Sequence, residues 1–537
     1  MKKIAKFLIV LGMIGQLSSC DYLDIVPDER AQESDTWKTE GAVRGYLYSC
    51  YGYLPANRTF GNSYWLAEEL TAVTKELFTT FKYGYYSPVS LGFTSNTWST
   101  IWNGIHQCYM FQESLKQVSN EYVTDEMKKQ YLAESNFLIA YYHFLSMRSY
   151  GPTMIIRSVI DLETPISGFP ERSSIDEVVA FINEKLDEAM SEGGLPTTWS
   201  GKDYGRATRL AALALKSRVY LYAASPLYNG NTEMYADFRS PLDGRQLIAQ
   251  EKSQAKWEIS ATQTKYAIDE VEKAKFHLYH DADAGEPSDA KPGLPNKAQR
   301  RLRYTNIDNQ TGNNPEIIWA DTRNDDYYGI QRRCPPRQTL GGKFAGISMT
   351  NCPTLQTIEA FYTKNGLPIN KDKTFDYDER YEYISAPENC DGNNYEDLVK
   401  YANFTPSSDK VMRLCTDREP RFYAWTTYHN GYFEFGKYNN EEISADPAKR
   451  AIRIHLLRDD PHGRGNRTDQ EYSISGFGNK KGVVPSAEWN VIEYPFPLFR
   501  LAELYLNYAE ALVELDRLSE AKVYLDKVRE RAGIPSV

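Results

Sequence analysis

Apolar residues recur every three or four positions along several long stretches of the chain, which is the spacing of one buried helix face. These stretches cover residues 125–152, 174–196, 208–226 and 256–275. Helices of about 15 to 25 residues with short breaks between them pack naturally as antiparallel hairpins. The pattern therefore predicts a helical scaffold in the first half of the chain.

The ends of these helices are also marked in the sequence. Ser174 and Glu177 form the capping-box pattern that begins a helix. Gly151–Pro152, Gly193–Gly194 and Pro226 are residues that end one. The helix boundaries predicted from periodicity and from end signals agree.

The C-terminal stretch "LAELYLNYAEALVELDRLSEAKVYLDKVRERAGIP" predicts two helices around a tight turn at Asp516–Arg517. Ala509 and Ala521 occupy the small positions where paired helices approach closely, and the spacing is that of a 34-residue tetratricopeptide unit. One such unit cannot bury its own apolar face and must stack on others. We therefore expect residues 126–226 and 500–532 to pack as one scaffold.

Residues 281–495 follow a different pattern, rich in Gly, Pro, Asn, Asp and Tyr and without a long amphipathic helix. Short apolar pieces such as "EIIWA" and "RFYAWTTYH" indicate strands, and the alternation around Trp425 places it in a strand core. Loops of this length inside a domain usually carry function. The predicted fold is mainly α, a tetratricopeptide-like scaffold of helical hairpins with a large, loop-rich, partly β insertion.

The chain begins with a basic stretch and a short apolar run, Phe7 to Leu17, which is typical of a secretory signal and too short to span a bilayer. The run ends in Leu17-Ser18-Ser19-Cys20, and acidic residues follow at once. This pattern indicates that residues 1–19 are a lipoprotein signal peptide and that Cys20 is acylated. The alternative is an ordinary signal peptide with a chance cysteine.

These boundaries divide the chain into five predicted segments. They are the signal peptide 1–19, a lipidated flexible arm 20–35, an N-terminal helical scaffold 36–280, an irregular ligand-binding insertion 281–495 and a C-terminal helical hairpin 496–537.

Composition narrows the class of partner. The net charge of −10 and the pI near 5.5 make nucleic acid, with its negatively charged phosphate backbone, an unsuitable partner. The chain has 40 Tyr, 22 Phe and 9 Trp, side chains that can stack against sugar rings or peptides as well as fill a core.

The cysteines indicate no zinc site, because none of them forms a C-x-x-C pair. Cys50 and Cys108 lie in helical patterns and are predicted to be buried thiols. Cys334, Cys352, Cys390 and Cys415 lie in loop-rich sequence, where oxidation in an exported protein is an open alternative.

No catalytic motif is present. There is no G-x-S-x-G nucleophile elbow, and His277 and His280 lack the glutamate of a zincin. The acidic run "HDADAGEPSD" lacks the Asp/Asn-Gly of a calcium loop and is better explained as a solvated loop. We predict a binding protein rather than an enzyme, without metal or cofactor.

Seven stretches, in order along the chain, carry a family resemblance. They are Cys20 with "DYLDIVPDE", "NFLIAYYHFLSMRSYG", "RATRLAALALKSRVYLYAASPLYN", "NPEIIWA", "PTLQTIEAFYTKNGLPI", "DREPRFYAWTTYHNG" and "PLFRLAELYLNYAEALVEL" with its following helix. The sequence resembles the SusD/RagB family of Bacteroidetes surface lipoproteins. The resemblance implies a non-enzymatic protein that binds a glycan, or in some members a peptide, as the lid of a SusC-like TonB-dependent outer-membrane transporter. It also implies a tail after Val537, which this sequence lacks.

Two segments combine aromatic rings with charged groups in non-periodic sequence, as a sugar site requires. The first contains Lys75, Lys82, Tyr83, Tyr85, Tyr86 and Trp98. The second contains Trp319, Asp321, Arg323, Asp325, Tyr327 and Tyr328. The resemblance also implies ligand contacts from loops near these places, and we rank Trp319, Arg323 and Tyr328 first. The alternative makes the tyrosines loop anchors and Trp319 a core residue.

Two functions stay open at this stage. The first is capture of an oligosaccharide or polysaccharide for a partner transporter, by a lipoprotein at the outer-membrane surface. The second is capture of peptides by the lid of a peptide-importing transporter. Aromatic platforms stack on any pyranose, so the residues do not name the glycan.

Overall fold

Helices dominate the computed structural model of the chain. The structure describes residues 37–55, 68–72, 95–161, 163–285, 297–308, 314–323, 329–336, 349–385, 410–434, 451–460, 462–465, 472–485 and 492–537. The helices are α1 Glu40–Tyr51, α2 Ser95–Leu115, α3 Asp125–Tyr150, α4 Ile175–Ala189, α5 Arg209–Ala224, α6 Thr232–Tyr235, α7 Gln254–Lys273, α8 Asp281–Ala284, α9 Lys297–Ile307, α10 Ile330–Arg333, α11 Leu355–Ala360, α12 Pro420–Trp425, α13 Leu501–Glu514 and α14 Leu518–Arg531. The predicted mainly α class is confirmed.

The strands are short and pair two by two. They are β1 Leu70–Thr71, β2 Ile317–Asp321, β3 Cys352–Pro353, β4 Tyr383–Ser385, β5 Lys410–Met412, β6 Thr426–Thr427, β7 Tyr432–Glu434, β8 Ala451–Arg453, β9 Gly478–Asn479 and β10 Phe496–Arg500. The antiparallel pairs are β1–β3, β2–β10, β4–β5, β6–β9 and β7–β8.

The predicted end signals agree with the structure for α3 and for the start of α4, whereas α4 ends at Ala189, before Gly193–Gly194. The Thr124 hydroxyl accepts the Met127 N–H at the start of α3, and Gly151 with φ +71° ends the helix. Ser174 and Glu177 make both hydrogen bonds of the capping box at the start of α4. Local polar groups therefore satisfy the free N–H groups of these helix starts, as the sequence indicated.

One hydrophobic core joins both ends of the chain. It contains residues of α1 to α5 and α7 together with residues of β2, β10, α13 and α14. Ala509 and Ala521 are both buried where α13 packs on α14, and Asp516 in the turn between them has φ +59°. The prediction that residues 126–226 and 500–532 pack as one scaffold is confirmed.

Strand β2 extends this core into the predicted insertion. Phe499 of β10 lies opposite Trp319 of β2, and Phe496 lies opposite Asp321. All five residues of β2 are buried, and Ile318 and Trp319 belong to the main core. The "EIIWA" strand is confirmed, and it ties the insertion to the helical scaffold. The segment boundaries themselves stay a prediction.

The prediction of a strand over "RFYAWTTYH" is wrong for its first half. Pro420 to Trp425 form helix α12, and Thr426–Thr427 alone are extended. A proline in the first turn of a helix loses no hydrogen bond and has a backbone angle already suited to the helix. Helix α9 is a second departure, since the sequence indicated no long amphipathic helix between residues 281 and 495.

The thiols in the described part of the chain are reduced and buried. Cys50 and Cys108 are buried in the helical core, as predicted. Cys334, Cys352 and Cys415 are also buried, and no disulfide joins any two of these three. Cys390 lies outside the described residues.

The anchor segment cannot be compared with the structure, because Cys20 and the rest of residues 1–36 lie outside the described residues. Among the helices that are described, none combines the length and the apolar character needed to cross a bilayer.

Candidate functional site

The structure describes a part of the two predicted ligand segments. Eight of their residues lie outside the described ranges, namely Lys75, Lys82, Tyr83, Tyr85, Tyr86, Asp325, Tyr327 and Tyr328. Four are described, namely Trp98, Trp319, Asp321 and Arg323. In the sequence, these four lie next to the parts of the two segments outside the described ranges.

Trp98 lies in the first turn of α2 and is half-buried. Its ring meets that of Trp102 edge to face at 5.3 Å and that of Tyr150 at 4.9 Å, both distances between centroids. Trp102 and Tyr150 are also half-buried. We call these three residues the Trp98 face. They provide a partly accessible aromatic surface, which is what stacking on a sugar ring requires.

A neutral histidine supports the Trp98 face from below. The His143 ring is fully buried and lies edge to face with Trp102 at 6.0 Å. Its Nε2 accepts the N–H of Ile156 at 3.3 Å, so Nδ1 carries the proton and donates to the carbonyl of Ile139 at 2.7 Å. Burial lowers the pKa of His143 to about 4. The support is therefore uncharged at neutral pH.

Arg323 is held in place at the end of β2. Its Nε and one terminal nitrogen donate to Asp321 at 2.9 and 2.7 Å. Its remaining N–H groups donate to the carbonyls of Gly52 at 3.3 Å, Leu54 at 2.8 Å and Pro55 at 2.9 Å. Burial disfavours its charge, but the hydrogen bonds that it donates to Asp321 and the negative charge of Asp321 outweigh burial and raise the pKa of Arg323.

These contacts use all five N–H groups of the guanidinium. Arg323 thus acts here as a clamp that joins the turn after α1 to the end of β2. In this arrangement no N–H group of Arg323 is left to donate to a ligand.

Trp319 is a core residue in the structure. Its side chain is 2 % exposed, and its Nε1 donates to the carbonyl of Gly205 at 2.9 Å. The ring meets Phe137 and Tyr141 edge to face at 5.0 and 5.2 Å and stacks on Phe499 at 5.8 Å. The exposed ring face that a sugar platform requires is absent, so we revise the hypothesis for Trp319 to that of a core residue.

Helix α2 carries Trp98 and also contacts the turn that Arg323 clamps. Gly104 of α2 packs so closely on Tyr53 that an added side-chain carbon would lie 3.0 Å from the Tyr53 Cβ. Trp98 is six residues earlier in α2, which corresponds to about 9 Å along the helix. Tyr53 in turn belongs to the turn that Arg323 clamps. Helix α2 therefore connects the Trp98 face with the turn next to Arg323.

A separate cavity of about 420 Å³ was not predicted from the sequence. It is lined by Thr197–Gly201, Tyr204–Arg206, Thr208, Ala274–Phe276, Asn314–Pro315 and Ile317–Ala320. The stretch "TTWSGKDYGRAT" provides much of the lining and combines aromatic, hydroxyl and glycine residues without period. The same signal identified residues 75–98 and could have identified this loop.

A buried ion network holds one wall of the cavity. Arg206 donates to both carboxylate oxygens of Glu134, at 2.5 and 3.2 Å, and to Asp203 at 2.8 Å. Its guanidinium lies 4.2 Å from the centre of the Trp199 ring. Burial raises the pKa of Glu134, and the hydrogen bonds from Arg206 oppose that rise. Removing either charge would leave the other buried and unpaired, so this wall depends on both residues.

The two acidic residues of the predicted solvated loop that the structure describes, Asp281 and Asp283, have partners. Asp281 pairs with Arg301 at 2.9 Å, and Asp283 accepts the N–H of His280 at 2.7 Å. Across the described ranges, His, Cys, Asp and Glu side chains form no group suited to holding a metal ion. The chain's described chemistry is that of hydrogen bonding and aromatic contact.

Sequence comparison identifies two family models that match different parts of the chain. The model described as "SusD family" matches residues 315–537, and the model described as "Starch-binding associating with outer membrane" matches residues 21–221. Together they match more than half of the chain. Among curated proteins, no sequence matches it.

Solved structures share the fold. The protein named BT4246 is 28% identical, with a TM-score of 0.75 over 93% of this chain and 83% of its own. A SusD-like protein of Bacteroides fragilis NCTC 9343, BF3747, is 20% identical, with a TM-score of 0.66 over 94% of this chain and 81% of its own. The latter supports the fold alone. The two models and this shared architecture place the chain in the SusD/RagB family.

Proposed function

We propose that the protein is a surface lipoprotein of the outer membrane that binds an oligosaccharide or polysaccharide and delivers it to a SusC-like transporter, without catalysis. The match of residues 21–221 to a family described as starch-binding and associated with the outer membrane carries this proposal. The Trp98 face agrees with it in chemistry, because its aromatic rings are partly accessible at the flank of a predicted ligand loop.

The physical basis of binding would be stacking of a pyranose on the Trp98 ring. The C–H groups of the sugar face are complementary to an aromatic surface, and hydroxyls at the ring edge take hydrogen bonds from neighbouring polar side chains. Trp98 is already fixed by Trp102 and Tyr150, so little side-chain freedom is lost when a ligand binds. Lys75, Lys82, Tyr83 and Tyr85 on the preceding segment remain proposed contacts of the same site.

Trp98→Ala is expected to weaken glycan binding by roughly ten- to a hundredfold, since stacking on an aromatic ring has a scale of about 1–3 kcal/mol. Calorimetric titration against a panel of neutral and acidic glycans measures this. Trp98→Phe, which retains a ring, should keep part of the affinity.

Trp37→Ala is the matched control. Trp37 is also half-buried, but it packs on Tyr46, whose ring stacks on Phe111 near the opposite end of α2. Equal losses in Trp98→Ala and Trp37→Ala would contradict the proposed site. Binding of peptides and not of any glycan in the panel would contradict the proposed ligand class.

The lipid anchor is tested separately. Cys20→Ala is expected to release the folded protein from the outer membrane, because acyl chains on Cys20 would be its attachment. Cell fractionation with and without the partner transporter measures this, and Ser19→Ala is the control that keeps the cysteine. Retention of the Cys20→Ala protein in membranes that lack the transporter would argue against acylation.

A further inference from the structure

The cavity of about 420 Å³ lies along the open edge of β2. Its lining includes four consecutive residues of that strand, Ile317 to Ala320. Successive side chains of a strand point to opposite faces, so a run of consecutive lining residues means that the cavity faces the strand edge. Within the described ranges β2 pairs on one edge alone, with β10. Backbone N–H and C=O groups of the other edge therefore face the cavity.

Polar side chains around the cavity are also available. The Tyr204 hydroxyl has no hydrogen-bond partner among the described residues, and the hydroxyls of Thr197, Thr198 and Ser200 lie on the exposed rim. Burial, with a smaller effect of Asp308, raises the pKa of Tyr204 to about 12. Tyr204 thus remains a hydrogen-bond donor at neutral pH. The hydroxyls and the backbone groups of an open strand edge can both donate and accept hydrogen bonds. Sugar hydroxyls can do the same, so the two sets of groups are complementary.

The walls of the cavity are preformed. Trp199 donates from Nε1 to the carbonyl of Ala207 at 3.0 Å and carries the Arg206 guanidinium on one side. Trp319, whose ring is buried in the core, fixes the wall through its hydrogen bond to Gly205. Gly205 has φ +98°, and a side chain there would lie 2.8 Å from Thr322, so glycine is required at this wall. A volume of about 420 Å³ falls within the 300–1,000 Å³ of small-ligand sites.

Lys275 gives the cavity its charge preference. It is exposed at the lining and forms no ion pair with any residue that the structure describes. Arg206 is the second cation, already paired with Glu134 and Asp203, and no acidic side chain is among the described residues that line the cavity. Lys275 also has φ +73°, the left-handed conformation common in the residue that follows a helix end, here that of α7.

We propose that this cavity is a second saccharide site, which takes one or two pyranose rings and favours a ring that bears a carboxylate near Lys275. It rests on the proposed function in one respect, the saccharide nature of the ligand, but it uses residues other than the Trp98 face. An extended peptide could also pair with a strand edge. The hydroxyl-rich rim and the small volume favour the sugar.

Glucuronate and glucose provide a matched pair of probes, because they differ at carbon 6 alone. Saturation-transfer NMR on the full chain carrying Trp98→Ala, which removes the first site, is expected to detect glucuronate binding and weaker glucose binding. Tyr204→Phe removes one hydroxyl and keeps the ring, and it should weaken the binding of both sugars. Lys275→Gly should weaken the binding of glucuronate roughly three- to tenfold and leave the binding of glucose unchanged.

The melting temperature of Lys275→Gly is a second measurement, which shows that a loss of binding does not come from unfolding. Glycine adopts φ +73° without strain, so the variant should melt at the same or a higher temperature while it loses the preference for glucuronate. Lys202→Ala is the control for loss of a lysine, because Lys202 is exposed. Lys273→Gly is unsuitable, because Lys273 belongs to α7. Lys202→Ala should change neither affinity.

The outcomes separate this proposal from the proposed function. Loss of all sugar binding in Trp98→Ala, with no effect of Tyr204→Phe, would overturn the second site and leave the first intact. Binding of short peptides but of neither sugar in the Trp98→Ala protein would overturn its ligand class. Persistent glucuronate binding that Tyr204→Phe and Lys275→Gly both weaken would support it, whatever the larger glycans do at Trp98.

Discussion

Trp319→Ala is expected to lower the free energy of unfolding by about 3–5 kcal/mol, the usual cost of removing a large aromatic side chain from a packed core. The ring is 2 % exposed and touches Phe137, Tyr141 and Phe499, so the surrounding core cannot close over the space that it leaves. The substitution also leaves the carbonyl of Gly205 without its indole donor. Chemical denaturation, fitted with a common dependence on denaturant, measures the loss.

The same variant tests whether Trp319 belongs to the Trp98 site. At a temperature where the variant is folded, its affinity for a larger glycan at the Trp98 face should equal that of the unchanged protein. Trp98→Ala should show the reverse, with weaker binding and a stability change below about 1 kcal/mol, because its ring is half-buried at the surface. A stable Trp319→Ala protein with abolished glycan binding would restore the platform hypothesis.

The reason that sequence reasoning ranked Trp319 first is instructive. It follows the apolar run "EII" and precedes a polar loop, and a tryptophan at that boundary is compatible with either environment. Its burial is decided by Phe137, Tyr141 and Phe499, which lie far away along the chain. A single sequence does not show which distant residues are in contact. Local pattern therefore placed the strand correctly and its side chain incorrectly.

Arg323 shows the same limit for a charged residue. A guanidinium in a loop beside aromatic residues suggested a sugar contact, and the nearby Asp321 was assigned to the same role. The carbonyls of Gly52, Leu54 and Pro55, which occupy three of its N–H groups, belong to a turn some 270 residues earlier. The described geometry makes Arg323 a positioning residue for the loops on either side.

The helical scaffold was more predictable because its signals are local. The capping box of Ser174 and Glu177, the glycine at residue 151 and the small residues Ala509 and Ala521 each act within one or two turns of helix. Helix α9 was missed for the opposite reason. Its buried residues include Arg300 and Arg303, which read as exposed positions in a pattern of apolar and polar residues. Polar residues buried by distant partners are invisible to periodicity.

A buried carboxylate joins the two ends of the predicted insertion to the last helix. Glu316 is fully buried, and one carboxylate oxygen accepts from Arg500 at 2.7 Å. The other oxygen accepts from Arg531 of α14 and from the N–H of Tyr279. Burial lowers the pKa of Arg531, Glu316 opposes that effect, and the neighbouring Arg500 adds to it. The cluster thus depends on its one central negative charge.

Glu316→Ala is therefore expected to cost about 3–5 kcal/mol of the free energy of unfolding, because it leaves Arg531 buried without a counter-charge. Glu316→Gln should cost a similar amount, because it also removes the charge and places an NH2 group opposite N–H donors of Arg500 or of Arg531 and Tyr279. Glu113→Ala is the control, since the Glu113–Lys116 pair is more than half exposed and its loss should cost at most about 0.5 kcal/mol. Denaturant titration of the three variants measures these differences.

The location of the damage gives a sharper reading of the same experiment. Arg531 is the last residue of α14, so loss of Glu316 should release that helix before the rest of the scaffold unfolds. Hydrogen exchange should accelerate first in α14, while the amides of α3 keep their protection. In the double variant Glu316→Ala/Arg531→Met the loss should be smaller than the sum of the two single losses, because Arg531 is no longer buried without its partner. Additive losses, with uniform exchange across α3 and α14, would refute the role of Glu316 as the link between the sheet and the last helix.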